Sequence, residues 1–205
     1  MTIILGLTGS IGMGKTTTAA MFRELGCPVH DADMAVHQLY EGAAVEPVRA
    51  LFPDAIIDGK VNREQLAREV LGKPERLAQL EAVIHPLVRE EESRFVATVR
   101  ASGVPVAVLD IPLLFESGGE SRCDRVVVVT APAEVQRARV LARPGMTEAR
   151  LAAILARQMP DADKRRRADF VVDTGLGLER ARAAVCEIVA KLTAESLISK
   201  DRAAP

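Results

Sequence analysis

The chain has 205 residues, of which 48% are hydrophobic and 27% charged, and its formal net charge at pH 7 is -1. This length supports one sizeable core and excludes two independent domains of average size, and the composition excludes a disordered chain. The near-neutral charge also argues against general binding of nucleic acid, so any basic patch must be local.

The first predicted element is a buried strand, Ile3 to Leu7, which leads into a glycine-rich loop, GSIGMGKT. The loop matches G-x-x-x-x-G-K-[ST] and lies between a strand and a helix, the context that this pattern requires. Its glycines let backbone N–H groups point inward around phosphate oxygens, and the following helix N-terminus adds partial positive charge. Lys15 can reach the outer phosphates, and the Thr16 hydroxyl can bind Mg²⁺. The loop therefore predicts a nucleotide phosphate site.

A second predicted strand, CPVH, follows the helix that ends at Gly26, and two carboxylates, Asp31 and Asp33, come directly after it. These residues flank Ala32, so in an extended strand end both side chains project to one side. One of them can accept the proton of a reacting hydroxyl while the other orients that hydroxyl or a Mg²⁺-bound water. We favour Asp33 over Asp31 as the base. The alternative for each aspartate is a role in a turn or as a helix N-cap.

The stretch 34–103 needs no strand and is predicted to be a helical insertion. Asn62 followed by Gln65 resembles a capping box at the start of one of its helices. His85 and Pro86 are expected to interrupt a later helix, because proline lacks a backbone donor and disfavours the helical conformation of the residue before it.

Three further β-branched runs, VPVAVL, VVVV and FVV, predict strands three to five, and Asp110 and Asp173 follow the first and last of them. Helical patterns separate the runs, so we predict an α/β fold with a parallel sheet covered by helices on both faces. Ligands collect at the carboxyl ends of the strands in such sheets. We therefore expect Asp110 beside the phosphate loop, where it can hold Mg²⁺ directly or through water.

A second helical stretch, 133–168, is locally basic: between Arg137 and Arg167 nine basic residues face three acids. A spacing of four places Arg139 and Arg143 on one helix face, where they can hold migrating phosphate oxygens. We interpret the stretch as a lid that excludes water from the reaction. The alternative, a solvated surface charge, is expected for about half of the arginines in this stretch. Binding of nucleic acid by the KRRR run is disfavoured, because no aromatic residues interleave it to stack bases.

The sequence also separates the nucleotide-binding classes. The single asparagine, Asn62, does not lie in NKxD, and no aspartate has glycine three places later, so the sequence argues strongly against a regulatory GTPase. The compact size and the absence of repeats disfavour a mechanical ATPase. A small-molecule kinase needs an acceptor pocket, a base and a lid, and the chain offers candidates for all three.

The cysteines predict the compartment. Cys27, Cys123 and Cys186 are odd in number and lack metal-site spacing, which is typical of a reducing cytoplasm. The apolar N-terminal run is too short for a signal peptide or a membrane span, so we expect a cytoplasmic protein with no membrane association.

Seven segments, in order, closely resemble the dephospho-coenzyme A kinases: GLTGSIGMGKT, HDADMAVHQLY, IHPLV, DIPLLFE, QRARVLAR, ILARQ and ADFVVDTG. The resemblance covers roughly Ile3 to Thr174, and DIPLLFE and DAD are its specific parts. It implies transfer of the γ-phosphoryl group of ATP to the ribose 3′-hydroxyl of dephospho-CoA, with Mg²⁺, in the last step of coenzyme A synthesis. It also implies a P-loop NTPase fold with a five-stranded parallel sheet like that of nucleoside monophosphate kinases. The implied parts are a core (1–33, 104–132 and 169–190), a helical substrate subdomain (34–103) and a lid (133–168).

The resemblance also implies roles for individual residues. The residues implied to bind ATP are Gly12, Met13, Gly14, Lys15, Thr16 and Thr17. Those implied to act in catalysis are Asp33, Lys15, Arg139 and Arg143. Those implied to contact the acceptor substrate are Asp31, Asp33, His85, Asp110 and Leu114. The candidate Mg²⁺ ligands are Thr16 and Asp110. For His85, local packing at a helix break is the alternative.

The chain departs from the family pattern at a few positions. The family loop commonly reads GGIGSGKS, so Ser10, Met13 and Thr16 differ. Threonine keeps the hydroxyl, whereas Met13 puts bulk where a small residue is usual. Thr174 stands where the family often has asparagine, which bears on any contact with the base ring.

Two other functions are open to the same sequence. One is a kinase for another small metabolite, of the shikimate or gluconate type, against which the long helical insertion and DIPLLFE argue. The other is a nucleotide- or RNA-binding module without activity, which would leave Asp31 and Asp33 unused. The expected partners are therefore the small molecules ATP and dephospho-CoA, and the sequence carries no signal for the number of subunits.

Overall fold

The computed structural model describes residues 1–202. Within them the chain forms two compact units. The first contains Met1–His30 and the chain from Thr98 onward, and the second contains Asp31–Ala97. No helix in the described part of the chain is both long and apolar enough to cross a membrane.

Residues 1–202 form seven strands and nine α-helices. The strands are β1 (Ile3–Thr8), β2 (Val29–Asp31), β3 (Ile56–Ile57), β4 (Lys60–Val61), β5 (Val106–Asp110), β6 (Arg125–Thr130) and β7 (Phe170–Asp173). The helices are α1 (Lys15–Glu24), α2 (Ala32–Tyr40), α3 (Val45–Leu51), α4 (Arg63–Val70), α5 (Pro74–Ser102), α6 (Ala133–Leu141), α7 (Glu148–Leu155), α8 (Asp161–Arg167) and α9 (Leu178–Arg202).

The main sheet has five strands in the order β2-β5-β1-β6-β7, which confirms the predicted five-stranded parallel sheet flanked by helices. Every residue of the central strand β1 is buried, because β-branched and aliphatic side chains cover both of its faces. In register, Leu7 lies opposite Asp110 and Thr130 lies opposite Asp173, so the carboxyl ends of these strands meet at one edge. Phe22 of α1 is fully buried in the same core. This edge also carries the loop between β1 and α1.

The second unit contains a hairpin that the sequence analysis did not predict. Strands β3 and β4 pair antiparallel, with Ile56 opposite Val61. Asp58 and Gly59 form the turn between them with positive φ angles of 50° and 74°. Asp-Gly between hydrophobic residues is a strong signal for a two-residue hairpin. The prediction that 34–103 contains no strand was therefore wrong, although the local signal was present.

The predicted interruption at His85 and Pro86 was also wrong, because Pro86 lies inside the continuous helix α5. Proline in a helix interior costs about 3 kcal/mol, since one backbone hydrogen bond is lost. Leu80 and Ile84 of the same helix are buried in the core of the second unit. Each buried side chain of this kind contributes about 1.5–3 kcal/mol, which is enough to offset the cost of the proline.

Helix α9 extends well past residue 190, the end of the predicted core. Leu192 and Ser196 on this helix are fully buried. The Ser196 hydroxyl donates a hydrogen bond to the Met1 carbonyl, and the Met1 ammonium donates to the Ser196 carbonyl at 3.1 Å. The helix is therefore joined to the start of the chain.

Candidate active site

The phosphate loop has the backbone conformation that its glycines permit. Gly12 and Gly14 have φ angles of 79° and 94°, in the left-handed region. A Cβ atom on Gly12 would lie 2.5 Å from Val140 Cγ2, so only glycine fits at this position. Helix α1 begins at Lys15 without a side-chain cap, which leaves N–H groups of its first turn available to a ligand. The Met13 side chain is buried, and the Met13 N–H donates to the Ser10 carbonyl at 3.2 Å.

The structure brings Lys15 and Asp110 together. Lys15 Nζ donates to Asp110 Oδ1 at 2.6 Å. The Asp110 side chain is 2% exposed, and that of Lys15 is 17% exposed. The ion pair compensates the cost of burying the carboxylate at the end of β5. It also holds the ammonium group inward at the phosphate loop.

Thr174 supports the phosphate loop from within the protein, a role that the sequence analysis missed. Its hydroxyl donates to the Met13 carbonyl at 2.7 Å. Arg139 Nη1 donates to the same hydroxyl at 2.8 Å, and Arg139 Nη2 donates to the Thr174 carbonyl at 2.9 Å. Thr174 is 8% exposed, so its side chain serves the loop in this structure rather than offering a surface to a base ring. Arg139 therefore holds Thr174, the residue that supports the loop.

Two glutamines that the sequence analysis did not single out also contact the loop. Gln136 Nε2 donates to the Ile11 carbonyl at 2.7 Å. The Ile11 N–H donates to Gln158 Oε1 at 3.1 Å. Gln158 lies in the ILARQ segment, but nothing in its local pattern identifies a partner 147 residues away.

The prediction that Arg139 and Arg143 share one helix face was wrong. Helix α6 ends at Leu141, so Arg143 lies outside it. The cause is Pro144, because the residue before a proline is disfavoured in the helical conformation. Arg143 is exposed, and its guanidinium makes no hydrogen bond or ion pair with the residues that the structure describes. It is therefore available to an anionic ligand.

Helix α8 is anchored to the segment that follows β5. Lys164 is fully buried, and its Nζ lies 2.8 Å from Glu116 Oε1. The Met159 N–H donates to the same carboxylate oxygen at 2.7 Å. Arg167 forms an ion pair with Glu120 and lies 4.5 Å from the centre of the Phe115 ring. The ion-pair partners of the KRRR residues Lys164, Arg165, Arg166 and Arg167 are Glu116, Asp161, Asp163 and Glu120.

The pair of Glu116 and Lys164 is expected to contribute to stability. Glu116→Gln should lower the free energy of unfolding by about 2 kcal/mol, because it leaves a buried ammonium without its counter-charge. This is less than the roughly 3–5 kcal/mol of a fully buried pair, since the Glu116 side chain is 17% exposed. Urea unfolding at pH 7 measures the change. Glu120→Gln is the matched control: its partner Arg167 is 44% exposed, so a loss below about 1 kcal/mol is expected. Equal losses in the two variants would contradict this assignment.

The same pair has a pH dependence with a defined sign. Burial raises the pKa of the Glu116 carboxyl, but the Lys164 ammonium and the Met159 N–H together outweigh it and place the pKa below its usual value of 4.5. The contribution of Glu116 to stability is therefore complete above the unfolded-state pKa and is lost as the pH falls through the folded-state pKa. The stability difference between wild type and Glu116→Gln should shrink as the pH falls below 4.5.

In the second unit, the side chains of Asp31 and Asp33 have different surroundings. Asp31 is the N-cap of α2, and its Oδ1 accepts hydrogen bonds from the Asp33 N–H at 3.0 Å and the Met34 N–H at 3.1 Å. Asp33 lies in the first turn of α2 and is exposed. The prediction that both side chains project to one side of an extended strand was wrong, because the helix begins at Ala32 and successive helical residues rotate by about 100°. The capping role of Asp31 favours Asp33 as the freely exposed carboxylate.

The remaining predicted substrate residues are His85 and Leu114. His85 is exposed on α5 in the second unit. Leu114 is fully buried, and its Cδ2 would lie 3.0 Å from a Cβ on Gly6. Its burial supports a packing role under β1 rather than contact with substrate.

The oxygen atoms near the loop fit a magnesium ion. Mg²⁺ prefers oxygen ligands, keeps several waters, and is usually bound by one or two protein groups together with substrate phosphates. Asp110 supplies a carboxylate, and Thr16 supplies an exposed hydroxyl in the first turn of α1. Among the described residues no cluster of three or more His, Cys, Asp or Glu side chains could hold a metal by itself. Asp110 and Thr16 therefore fit a Mg²⁺ ion only together with other oxygen ligands, such as the phosphates of a nucleotide and water.

Comparison with known proteins gives consistent matches. A family model described as dephospho-CoA kinase matches residues 3–179. A dephospho-CoA kinase from Mesorhizobium japonicum is 63% identical over 190 residues, which is 93% of this chain and 96% of that protein. A crystal structure from Thermus thermophilus is 39% identical, with a TM-score of 0.80 over 92% of this chain and 96% of that one. A dephospho-CoA kinase from Campylobacter jejuni, 20% identical, has the same fold, with a TM-score of 0.69 over 93% and 97% of the two chains.

Proposed function

The chain belongs to the dephospho-CoA kinase family, and we propose that it transfers the γ-phosphoryl group of ATP to the 3′-hydroxyl of the ribose of dephospho-CoA. The products are coenzyme A and ADP, and the reaction is the final step of coenzyme A synthesis. The observation that carries the proposal is the phosphate loop with Lys15 held inward at 2.6 Å from Asp110.

The residues Gly12 to Thr17 are proposed to bind the phosphates of ATP. The exposed start of α1 offers backbone N–H groups, and the helix dipole adds partial positive charge there. Lys15 supplies a full positive charge for the β- and γ-phosphates. An incoming phosphate shares or replaces Asp110 as the partner of Lys15, so the ammonium is preorganised for the anion.

Asp33 is proposed to be the general base. The Asp31 cap fixes the first turn of α2 and thereby the backbone that carries Asp33. In the reaction the proton of the 3′-hydroxyl passes to the Asp33 carboxylate, the oxygen forms a bond to the γ-phosphorus, and the bond from that phosphorus to ADP breaks.

Thr16 and Asp110 are proposed to hold Mg²⁺ together with the phosphates. When bound, the ion neutralises charge that develops between the β- and γ-phosphates. Support comes from the Asp110 carboxylate, which lies at the end of β5 beside Lys15.

Residues 133–168 are proposed to form the lid, and α8 to be the part of the lid that stays anchored to the core. Support for this anchoring comes from the fully buried Lys164 and its ion pair with Glu116. Of the two predicted lid arginines, Arg143 has a guanidinium open to a ligand, whereas the guanidinium of Arg139 is engaged by Thr174. We therefore propose that Arg143 contacts the migrating phosphoryl group and that Arg139 acts by supporting the loop.

Arg143→Ala is expected to lower kcat by about 10-fold or more with little change in the KM for ATP, because the contact is made only when the lid is closed. Steady-state kinetics with ATP and dephospho-CoA measure both values. Arg166→Ala is the matched control, since Arg166 is exposed and, among the described residues, pairs only with Asp163, three residues earlier on the same helix, and its kinetics should equal those of wild type. An unchanged kcat in Arg143→Ala would show that Arg143 is a solvated surface residue with no part in the reaction.

The helical stretch 34–103 is proposed to bind dephospho-CoA, with His85 as a contact on α5. A direct test of the function offers ATP and Mg²⁺ with dephospho-CoA, shikimate, gluconate or RNA and follows the release of ADP. Release only with dephospho-CoA is expected. The absence of ADP above background with dephospho-CoA would refute the proposal, and release with shikimate or gluconate would favour another metabolite kinase of this fold.

The cytoplasm is the proposed location. Cys27, Cys123 and Cys186 are all free thiols, as expected in a reducing compartment. Burial raises the pKa of the Cys27 thiol, which keeps it in the unreactive protonated form.

A further inference from the structure

The peptide groups on both sides of Ile11 are held by side-chain amides. Gln136 Nε2 donates to the Ile11 carbonyl at 2.7 Å, and the Ile11 N–H donates to Gln158 Oε1 at 3.1 Å. The backbone defines which end of each amide is used, because an N–H group can only donate and a carbonyl can only accept. Gln136 therefore acts as a donor and Gln158 as an acceptor.

Each glutamine orients one peptide plane of the phosphate loop. In a trans peptide the carbonyl and the N–H of the next residue point in opposite directions. By holding the Ile11 carbonyl on the side of α6, Gln136 directs the Gly12 N–H away from that helix. The Ile11 N–H and the Ser10 carbonyl belong to one peptide group and point in opposite directions. By holding the Ile11 N–H, Gln158 therefore fixes the direction of the Ser10 carbonyl, which accepts from the Met13 N–H at 3.2 Å and closes the turn.

Close packing supports this arrangement. Gln136 is 7% exposed, so its amide is shielded from competing water. The absence of a side chain at Gly12 lets α6 approach, since a Cβ there would lie 3.1 Å from the Gln136 carbonyl. Because the site is shielded, a polar group left without a partner there is costly.

We infer that Gln136 and Gln158 are positioning residues for the phosphate loop. Together they fix the direction of the peptide groups between Ser10 and Gly12 and so shape the nest in which the phosphates of ATP bind. The inference rests on the proposed function only in taking ATP as the ligand. Both glutamines belong to the stretch 133–168, Gln136 in α6 and Gln158 shortly after α7, so the shape of the loop depends on the proposed lid.

The opposite polarity of the two contacts provides a matched test. Gln158→Glu keeps an oxygen acceptor for the Ile11 N–H, whereas Gln136→Glu replaces a donor by an oxygen that faces the Ile11 carbonyl. The two variants change charge and size equally, next to the same residue. The Kd for ATP, measured by calorimetry on the full chain, should be at least about tenfold higher in Gln136→Glu than in Gln158→Glu. The KM for ATP should follow the Kd, and the KM for dephospho-CoA should stay unchanged in both.

Gln79→Glu, an exposed substitution on α5, controls for added negative charge and should bind ATP like wild type. Equal Kd values for Gln136→Glu and Gln158→Glu would overturn the inference, as would a parallel rise in the KM of both substrates. If Gln136→Glu does not fold, the neutral variants Gln136→Met and Gln158→Met replace the pair. Each should weaken ATP binding severalfold, and wild-type Kd values in both would overturn the inference. Wild-type protein that binds ATP but does not phosphorylate dephospho-CoA would refute the proposed function alone.

Discussion

Lys15→Ala is expected to lower kcat by at least about 10³-fold. The ammonium matches the charge that builds up on the β- and γ-phosphates, and a single lost donor at such a site costs about 10²–10³-fold. Here the loss is greater, because removal of Lys15 also takes away the positive charge 2.6 Å from the buried Asp110 carboxylate. That carboxylate would then repel the incoming phosphates. Release of ADP from ATP and dephospho-CoA measures the effect.

The double variant Lys15→Ala with Asp110→Asn separates catalysis from stability. Lys15→Ala alone should lower the free energy of unfolding, since it leaves a buried carboxylate without the ammonium. Asp110→Asn in that background should restore part of the stability, because the neutral amide is cheaper to bury. It should not restore turnover. Activity of Lys15→Ala within tenfold of wild type would refute the assignment of the phosphate site.

Asp33→Asn is expected to retain ATP binding and to lower kcat by at least about 10²-fold. Asparagine has nearly the same size as aspartate but cannot accept the proton of the 3′-hydroxyl, and general-base catalysis typically contributes about 10²–10⁴-fold. Asp33 is exposed in the first turn of α2, so the substitution should disturb packing little. Calorimetry with ATP and steady-state kinetics together measure the two expectations.

Asp31→Asn is the matched control for the base. Asp31 caps α2 by accepting from the N–H groups of Asp33 and Met34, and asparagine caps helices about as well. Most of the activity should therefore remain in Asp31→Asn. A greater loss in this variant than in Asp33→Asn would reassign the base to Asp31. Near-normal turnover in both variants would show that neither aspartate is the general base.

Much of the fold could be predicted because its signals are local. The glycines of the phosphate loop, the β-branched strands and the stop at Gly26 depend on neighbours within a few residues, and the structure shows each of them. The errors also have physical causes. Pro86 lies within a helix because burial of Leu80 and Ile84 outweighs the local cost of proline. Helix α2 begins directly at the end of β2, so Asp31 and Asp33 have different surroundings.

By itself, the sequence determined the class of the protein: a phosphate loop on a parallel sheet, acids at the carboxyl ends of strands, and the motifs of the dephospho-CoA kinases. The tertiary structure alone decided which side chains support that loop. Gln136, Gln158 and Thr174 reach Ile11 and Met13 from 125, 147 and 161 residues away along the chain. Their hydrogen bonds exist only once the helices have packed on the sheet, and no periodicity or spacing in the sequence encodes contacts between residues so far apart.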